Sequence, residues 1–285
     1  MNRNGSPERD RGGGQRLTVS LILIFLAILM VVGATVAWFS IADRTKVRSM
    51  SMDVTEGVNL KFDLDPHKTI DEYLKTLPFQ SIAARIFKDD GVNISISPIE
   101  PVTTSDYSHF TYEHGEKADN KTGAYLKFTL HFMAAEDMIV HLSSANHYGN
   151  GNGTNISSGI NGLPEAMRIS FTVDGWTYVY DPGLGNKSTV KDNVKTFGLP
   201  SSGGMVYNDN NSMFSLKKFV NKPVLVHIWL EGTDPECVNK LKGADYSISM
   251  KFVGTDENNQ ILDYDPERER RRAESTKRPY GFTNQ

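Results

Sequence analysis

The chain has 285 residues, a formal net charge of −3 and one cysteine, Cys237. This slightly acidic balance excludes a nucleic-acid binder that works through a basic face, and the lone cysteine excludes an intramolecular disulfide or a thiolate zinc cage. Hydrophobic residues make up 39% of the chain and aromatics 10%, enough for one sizeable core.

Residues 1–16 read as a short cytoplasmic tail. The run Leu17 to Ala42 that follows has no charged side chain. As a helix it would reach roughly 39 Å at 1.5 Å per residue, enough to cross a hydrocarbon core of about 30 Å. Its few hydroxyls, Thr18, Ser20, Thr35 and Ser40, can bond back to the helix backbone. Basic residues flank both ends, with Arg3, Arg9, Arg11 and Arg16 before and Arg44, Lys46 and Arg48 after, so charge alone does not orient it. Long domains translocate largely regardless of charge, which places the bulk of the chain outside. Two readings of the run stay open. It is an uncleaved signal anchor, or a signal peptide with the small residues Thr35 and Ala37 spaced for a cut after Ala37, before Trp38 and Phe39. Both export residues 43–264 as one domain, the first leaving it tied to the membrane through 17–42.

The exported part reads as strands. Asp43–Leu60 leaves the membrane extended and becomes strand-like toward Val54, Val58 and Leu60. Ile70–Asp89 is the best helix, starting after Thr69 with Glu72 three residues on as a capping box. Pro78 should split it into two short helices. Apolar residues alternate with polar ones at Val92, Ile94 and Ile96, at Leu126 to Phe132, at Ile169 to Val173 and at Tyr246 to Phe252, and Val224, Val226, Ile228 and Leu230 form one face of another strand. A helix would scatter each set around its circumference, whereas a strand keeps it on one face. Asp174-Gly175 supplies the positive φ of a two-residue hairpin joining 167–173 to 176–180. The second arm puts Trp176, Tyr178 and Tyr180 on one face. Leu163–Met167 reads as a helical turn with Pro164 near its start. Polar loops cover 147–162, 181–193 and 199–211, and 265–285 reads as a disordered charged tail. Together these elements predict a mainly β fold, an antiparallel two-sheet sandwich with short helical insertions.

Signals for chemistry are sparse. Seven histidines occur, but none in the His-Glu-x-x-His spacing that lets two imidazoles meet one zinc. His131, His141 and His227 fall opposite the apolar sets of their strands and are expected at the surface or hydrogen-bonded. No nucleophile elbow or phosphate-cradling loop is present. Glu231, Asp234 and Glu236 bunch near Cys237 without calcium-loop spacing, and read as a polar turn. Cys237 reads as a small buried hydrophobe. No catalytic residue, metal or cofactor is expected.

Three stretches carry a resemblance. Gly33 to Ser40, Gly-Ala-Thr-Val-Ala-Trp-Phe-Ser, resembles the signal-peptide end of the TasA/camelysin family, although an Asp follows Phe39 only at position 43. Met52 to Leu60 is similar to the first strand of those exported domains. Val226 to Cys237, with Trp229, Glu231, Asp234 and Cys237, resembles a strand-plus-turn cassette in relatives from Gram-positive bacteria. The resemblance implies a jelly-roll-like sandwich, secretion to a Gram-positive surface and assembly into matrix fibres. Some camelysin relatives have been described as metalloproteases, whose motif this chain lacks. The leading expectation is therefore a non-enzymatic surface or extracellular-matrix protein. It would contact copies of itself or matrix proteins by strand addition, with Asp43–Leu60 as donor. The alternative is a monomeric module binding carbohydrate or wall polymer, with Trp176 and Tyr178 as stacking surfaces. A metal-dependent hydrolase has the least support.

Overall fold

The computed structural model describes residues 19–28, 46–54, 59–144, 153–201, 204–237 and 245–262. Fourteen strands are named in it: β1 (Lys46–Val54), β2 (Leu60–Asp63), β3 (Thr76–Leu77), β4 (Pro101–Val102), β5 (Leu126–Ala134), β6 (Met138–Leu142), β7 (Asn155–Ser158), β8 (Met167–Val173), β9 (Trp176–Tyr180), β10 (Ser188–Lys191), β11 (Val194–Phe197), β12 (Ser212–Leu216), β13 (Lys222–Glu231) and β14 (Asp245–Thr255). They form two sheets. One runs β12-β6-β14-β1-β3, with β7 also on β14. The other runs β10-β11-β9-β8-β13-β5-β2, with β4 also on β13.

The expected sandwich is present, but it is not purely antiparallel. β1 pairs parallel with β14, β11 with β9, and β4 with β13. Parallel neighbours need a crossover connection, and each of these pairs joins strands separated by other elements. Alternation along one strand reports its faces, not its partner's direction, so this could not be read locally.

The core lies between the sheets. β14 buries Tyr246, Ile248, Met250 and Phe252, and β13 buries Val224, Val226, Ile228 and Leu230, as their alternation predicts. β5 and β8 do the same with Phe128, Leu130 and Phe132, and with Ile169 and Phe171. Phe252 reaches from the first sheet into a ring of second-sheet phenylalanines, with centroids 5.6 Å from Phe62, 5.1 Å from Phe132 and 5.9 Å from Phe171. The β8–β9 hairpin turns on Asp174 (φ 51°) and Gly175 (φ 78°), the two left-handed residues its twist requires.

Three local expectations change. The Ile70–Asp89 helix becomes a 3₁₀ turn at Ile70–Glu72, the short strand β3, and a helix at Phe79–Asp90 that starts after Pro78. The Glu72 carboxylate accepts from the Thr69 N–H at 2.9 Å and from the Thr69 hydroxyl at 3.0 Å. The later helix buries Ile82 and Ile86, one turn apart, and ends on Gly91 at φ 77°. Second, Val92 to Ile96 is a turn, not a strand. The Asn93 side-chain oxygen accepts from Ser95 N–H, and its carbonyl accepts from Ile96 and Ser97, an arrangement that competes with a ladder. Third, the polar stretches 147–162 and 181–193 contain β7 and β10. The turn of helix Leu163–Ala166, with Pro164 in its first turn, forms as expected.

Of the apolar run, residues 19–28 are described; they are helical, and their large side chains are exposed. Among the described residues no helix is long and apolar enough to cross a membrane. The rest of the run, with Ala37, Trp38 and Phe39, and the charged tail 265–285, lie outside the described residues.

Candidate functional site

The segment expected to be a free donor is built into the chain's own sheet. β1 makes eight residue pairs with β14, from Lys46↔Asp245 to Val54↔Phe252. A bulge between Val47 and Ser49 adds one residue to β1, which lets Val47 and Met50 both face inward ahead of Met52 and Val54. Without it the period of two would turn one of them outward. Leu60, in β2, pairs with Ala134 of β5 and is fully buried. Val58 lies outside the described residues. The expectation of an unpaired donor is thus corrected for Val54 and Leu60, because both fill core positions in cis. The other side of β1 is lightly covered. β3 pairs only with Met52 and Asp53, and the Lys75 carbonyl accepts from Val54 N–H at 3.0 Å.

The late cassette is held by Arg168 and by the carboxylates of Glu231 and Asp234. Glu231 accepts from the Trp229 indole N–H at 2.9 Å and from the Thr233 N–H and hydroxyl, which fixes the turn after β13. Asp234 accepts from Glu236 N–H through its side chain and from Cys237 N–H through its carbonyl. Arg168 on β8 reaches across to Asp234 and lies 3.3 Å from Asp181. Its guanidinium also donates to the Glu165 and Met167 carbonyls. Burial pushes the Asp181 carboxyl up despite the arginine. Cys237 packs against the main core, and burial, followed by the charges of Asp234 and Glu231, pushes its thiol up to about 12. A thiol so poised is neutral and inert, in keeping with the hydrophobe expected at this position.

A second core was not foreseen. The chain between β4 and β5 folds over the outer face of the second sheet. There Phe110, Ala118, Ala124 and Tyr125 pack with Val102, Val179 and Trp229. His227 lies under this cover with its ring 5.3 Å from Phe110 and 5.8 Å from Tyr125, and its Nδ1 has no partner among the described residues. The surface or hydrogen-bonded position expected for His227 is therefore wrong. Burial, then the charge of Lys127, lowers its pKa to about 4. The signal was available in Val224 to Leu230, since an apolar run broken only by His227 marks a strand buried on both faces.

His141 is fully buried but bonded, as one branch of the expectation had it. Its Nδ1 lies 2.9 Å from the Asn211 side-chain oxygen and its Nε2 3.0 Å from the Thr255 hydroxyl. The Asn211 amide orientation is set independently, because its nitrogen donates to the Val206 carbonyl and its oxygen accepts from Asn208 N–H. Nδ1 therefore carries the proton and Nε2 accepts from Thr255. Burial lowers the His141 pKa to about 4, with the Lys195 charge acting in the same sense and Asn211 and Asp209 opposing. His131 is half-buried, 3.2 Å from the Asn221 side-chain oxygen. Among the described residues no three His, Cys, Asp or Glu side chains gather as metal ligands.

No family model matches the sequence, and neither a curated protein nor a solved structure is found to be similar to it.

Proposed function

We propose that this is a non-enzymatic, exported protein of a bacterial surface or extracellular matrix, a jelly-roll-like sandwich whose copies join by exchanging β1. The N-terminal apolar run would tether it to the membrane while uncleaved and release it once cut. The observation that supports this reading most is the position of β1. It is the first strand among the described residues, its ladder is made almost wholly with β14, and only two residues of β3 lie along its far edge. The same eight pairs can be made by β1 of a second copy, because strand pairing is sequence-local and a swapped element keeps every contact. The non-enzymatic part rests on the sequence, which carries none of the motifs weighed above.

The register supplies a direct test. Ser51 of β1 stands beside Ser249 of β14. In a Cys237→Ser background, Ser51→Cys on one copy and Ser249→Cys on another should form an intermolecular disulfide after mixing at high concentration. Neither single variant can bridge these two positions alone. A covalent heterodimer supports exchange. Its absence, with the Ser51→Cys/Ser249→Cys double variant closing only within one chain and the protein sedimenting as a monomer, rules exchange out.

A further inference from the structure

We propose that a cleft at one end of the sandwich, between β7, the Leu163–Ala166 turn and the segment at residues 199–201, binds a neutral saccharide. The inference stands apart from strand exchange and survives its failure.

The cleft has a volume of about 480 Å³, within the roughly 300–1,000 Å³ range of small-molecule sites. Ser144, Asn155 and Glu165 form its polar wall and Ile156, Tyr180 and Pro182 its apolar one. Ser144 is 1% exposed, yet its hydroxyl has no hydrogen-bond partner among the described residues. A buried hydroxyl left unpaired is costly, and native proteins keep few of them. One that borders a cavity has a partner available in whatever fills the cavity.

The wall chemistry narrows the class. A hydroxyl and an amide each donate and accept, and a carboxylate accepts from two neighbouring donors. Adjacent sugar hydroxyls present that mixture, and the C–H face of a pyranose suits a tyrosine ring and a proline. Among the described residues no lysine or arginine lines the cleft. A neighbouring depression of about 350 Å³ shares Glu165 and is bounded by Asp181, Asp234 and Glu236. The one arginine there, Arg168, is already paired with two of these carboxylates. The local field is negative, so phosphate-rich and sulfated polymers are repelled.

The test uses the purified full-length chain. Saturation-transfer NMR with cellobiose and with N,N′-diacetylchitobiose reads free sugar, and co-sedimentation with cellulose and with chitin reads the same chemistry in a polymer. At least one should bind. Asn155→Ala and Glu165→Gln should each weaken binding tenfold or more without moving the melting temperature. Ser144→Val should abolish binding and leave the melting temperature unchanged or higher, because the lost hydroxyl had no partner; if that variant fails to fold, the other two decide. Binding to polymer alone assigns an extended chain as the ligand. The proposal is overturned if no sugar or polymer binds, if Asn155→Ala and Glu165→Gln both bind normally, or if polyglycerol phosphate binds more tightly than the neutral sugars.

Discussion

Phe252 of β14 and Phe132 of β5 meet edge to face across the two sheets, their centroids 5.1 Å apart and their planes at 76°. Phe252 is fully buried and also touches the rings of Phe62 and Phe171, so it joins the sheets at their centre. Truncating it leaves a cavity that none of the neighbouring strands can collapse to fill. Phe252→Ala should cost about 3–5 kcal/mol in urea unfolding. Ser249, three residues earlier on the opposite face, makes one hydrogen bond to the Gly153 carbonyl at 3.0 Å. Ser249→Ala should cost about 0.5–1.5 kcal/mol. Equal losses would mean that β14 does not present the face described.

The two buried histidines give the protein a defined acid response. Both are neutral in the folded chain down to a pKa of about 4, whereas the unfolded chain takes up their protons near pH 6.5. Between those values the unfolded state binds more protons, so stability falls as pH falls. It is fully present above about pH 6.5, and the loss levels off below about pH 4. Each histidine contributes a slope of up to about 1.4 kcal/mol per pH unit in that window. Urea unfolding at pH 7, 5.5 and 4.5 should show it, and His227→Gln should flatten it. An unchanged slope in that variant would mean that His227 is protonated when folded.

Arg168 carries the largest electrostatic stake. Its side chain is 12% exposed, and those of Asp181 and Asp234 are 16% and 11%. Arg168→Met would leave two carboxylates facing each other in a half-dry site, for a loss of up to about 3–5 kcal/mol. Lowering the pH should recover part of it, because protonation removes the orphaned charge. Lys217–Asp137, with both partners exposed, should contribute at most about 1 kcal/mol. A double-mutant cycle separates the two cases.

Gly175 holds φ 78° in the β8–β9 turn with open space around its α-carbon. Gly175→Ala therefore meets backbone strain and no clash, for a cost of about 1–2 kcal/mol. Proton exchange should show it first in β9. A neutral result would place the turn in another conformation.

The legible parts of this fold were those that depend on a single strand. The alternating sets in β5, β8, β13 and β14 all occupy the core, and Asp174-Gly175 turns where its chemistry says it must. What could not be read depends on pairs far apart in sequence. Nothing in Lys46–Val54 specifies a parallel neighbour two hundred residues later, and the bulge at Arg48 breaks the period that would have identified it as a strand. Val92 to Ile96 has strand alternation, but Asn93 offers the backbone a nearer set of bonds. The saccharide cleft was the least visible feature. Its lining comes from polar loops, a proline turn and strand ends, whose composition is that of any surface until folding brings Ser144 beside Glu165 and Tyr180.

The parallel seam between β1 and β14 sets the chain's response to pulling. The polypeptide enters the pair at Lys46, opposite Asp245, and leaves β14 at Thr255, the other end of the strand. Tension applied between the N-terminal and C-terminal sides of the pair then runs along the ladder and loads its hydrogen bonds together, in shear. An antiparallel terminal pair pulled from one end would give way bond by bond. Forced unfolding is governed by the barrier and not by equilibrium stability. The chain can therefore be only ordinarily stable and still resist being torn open from its two ends.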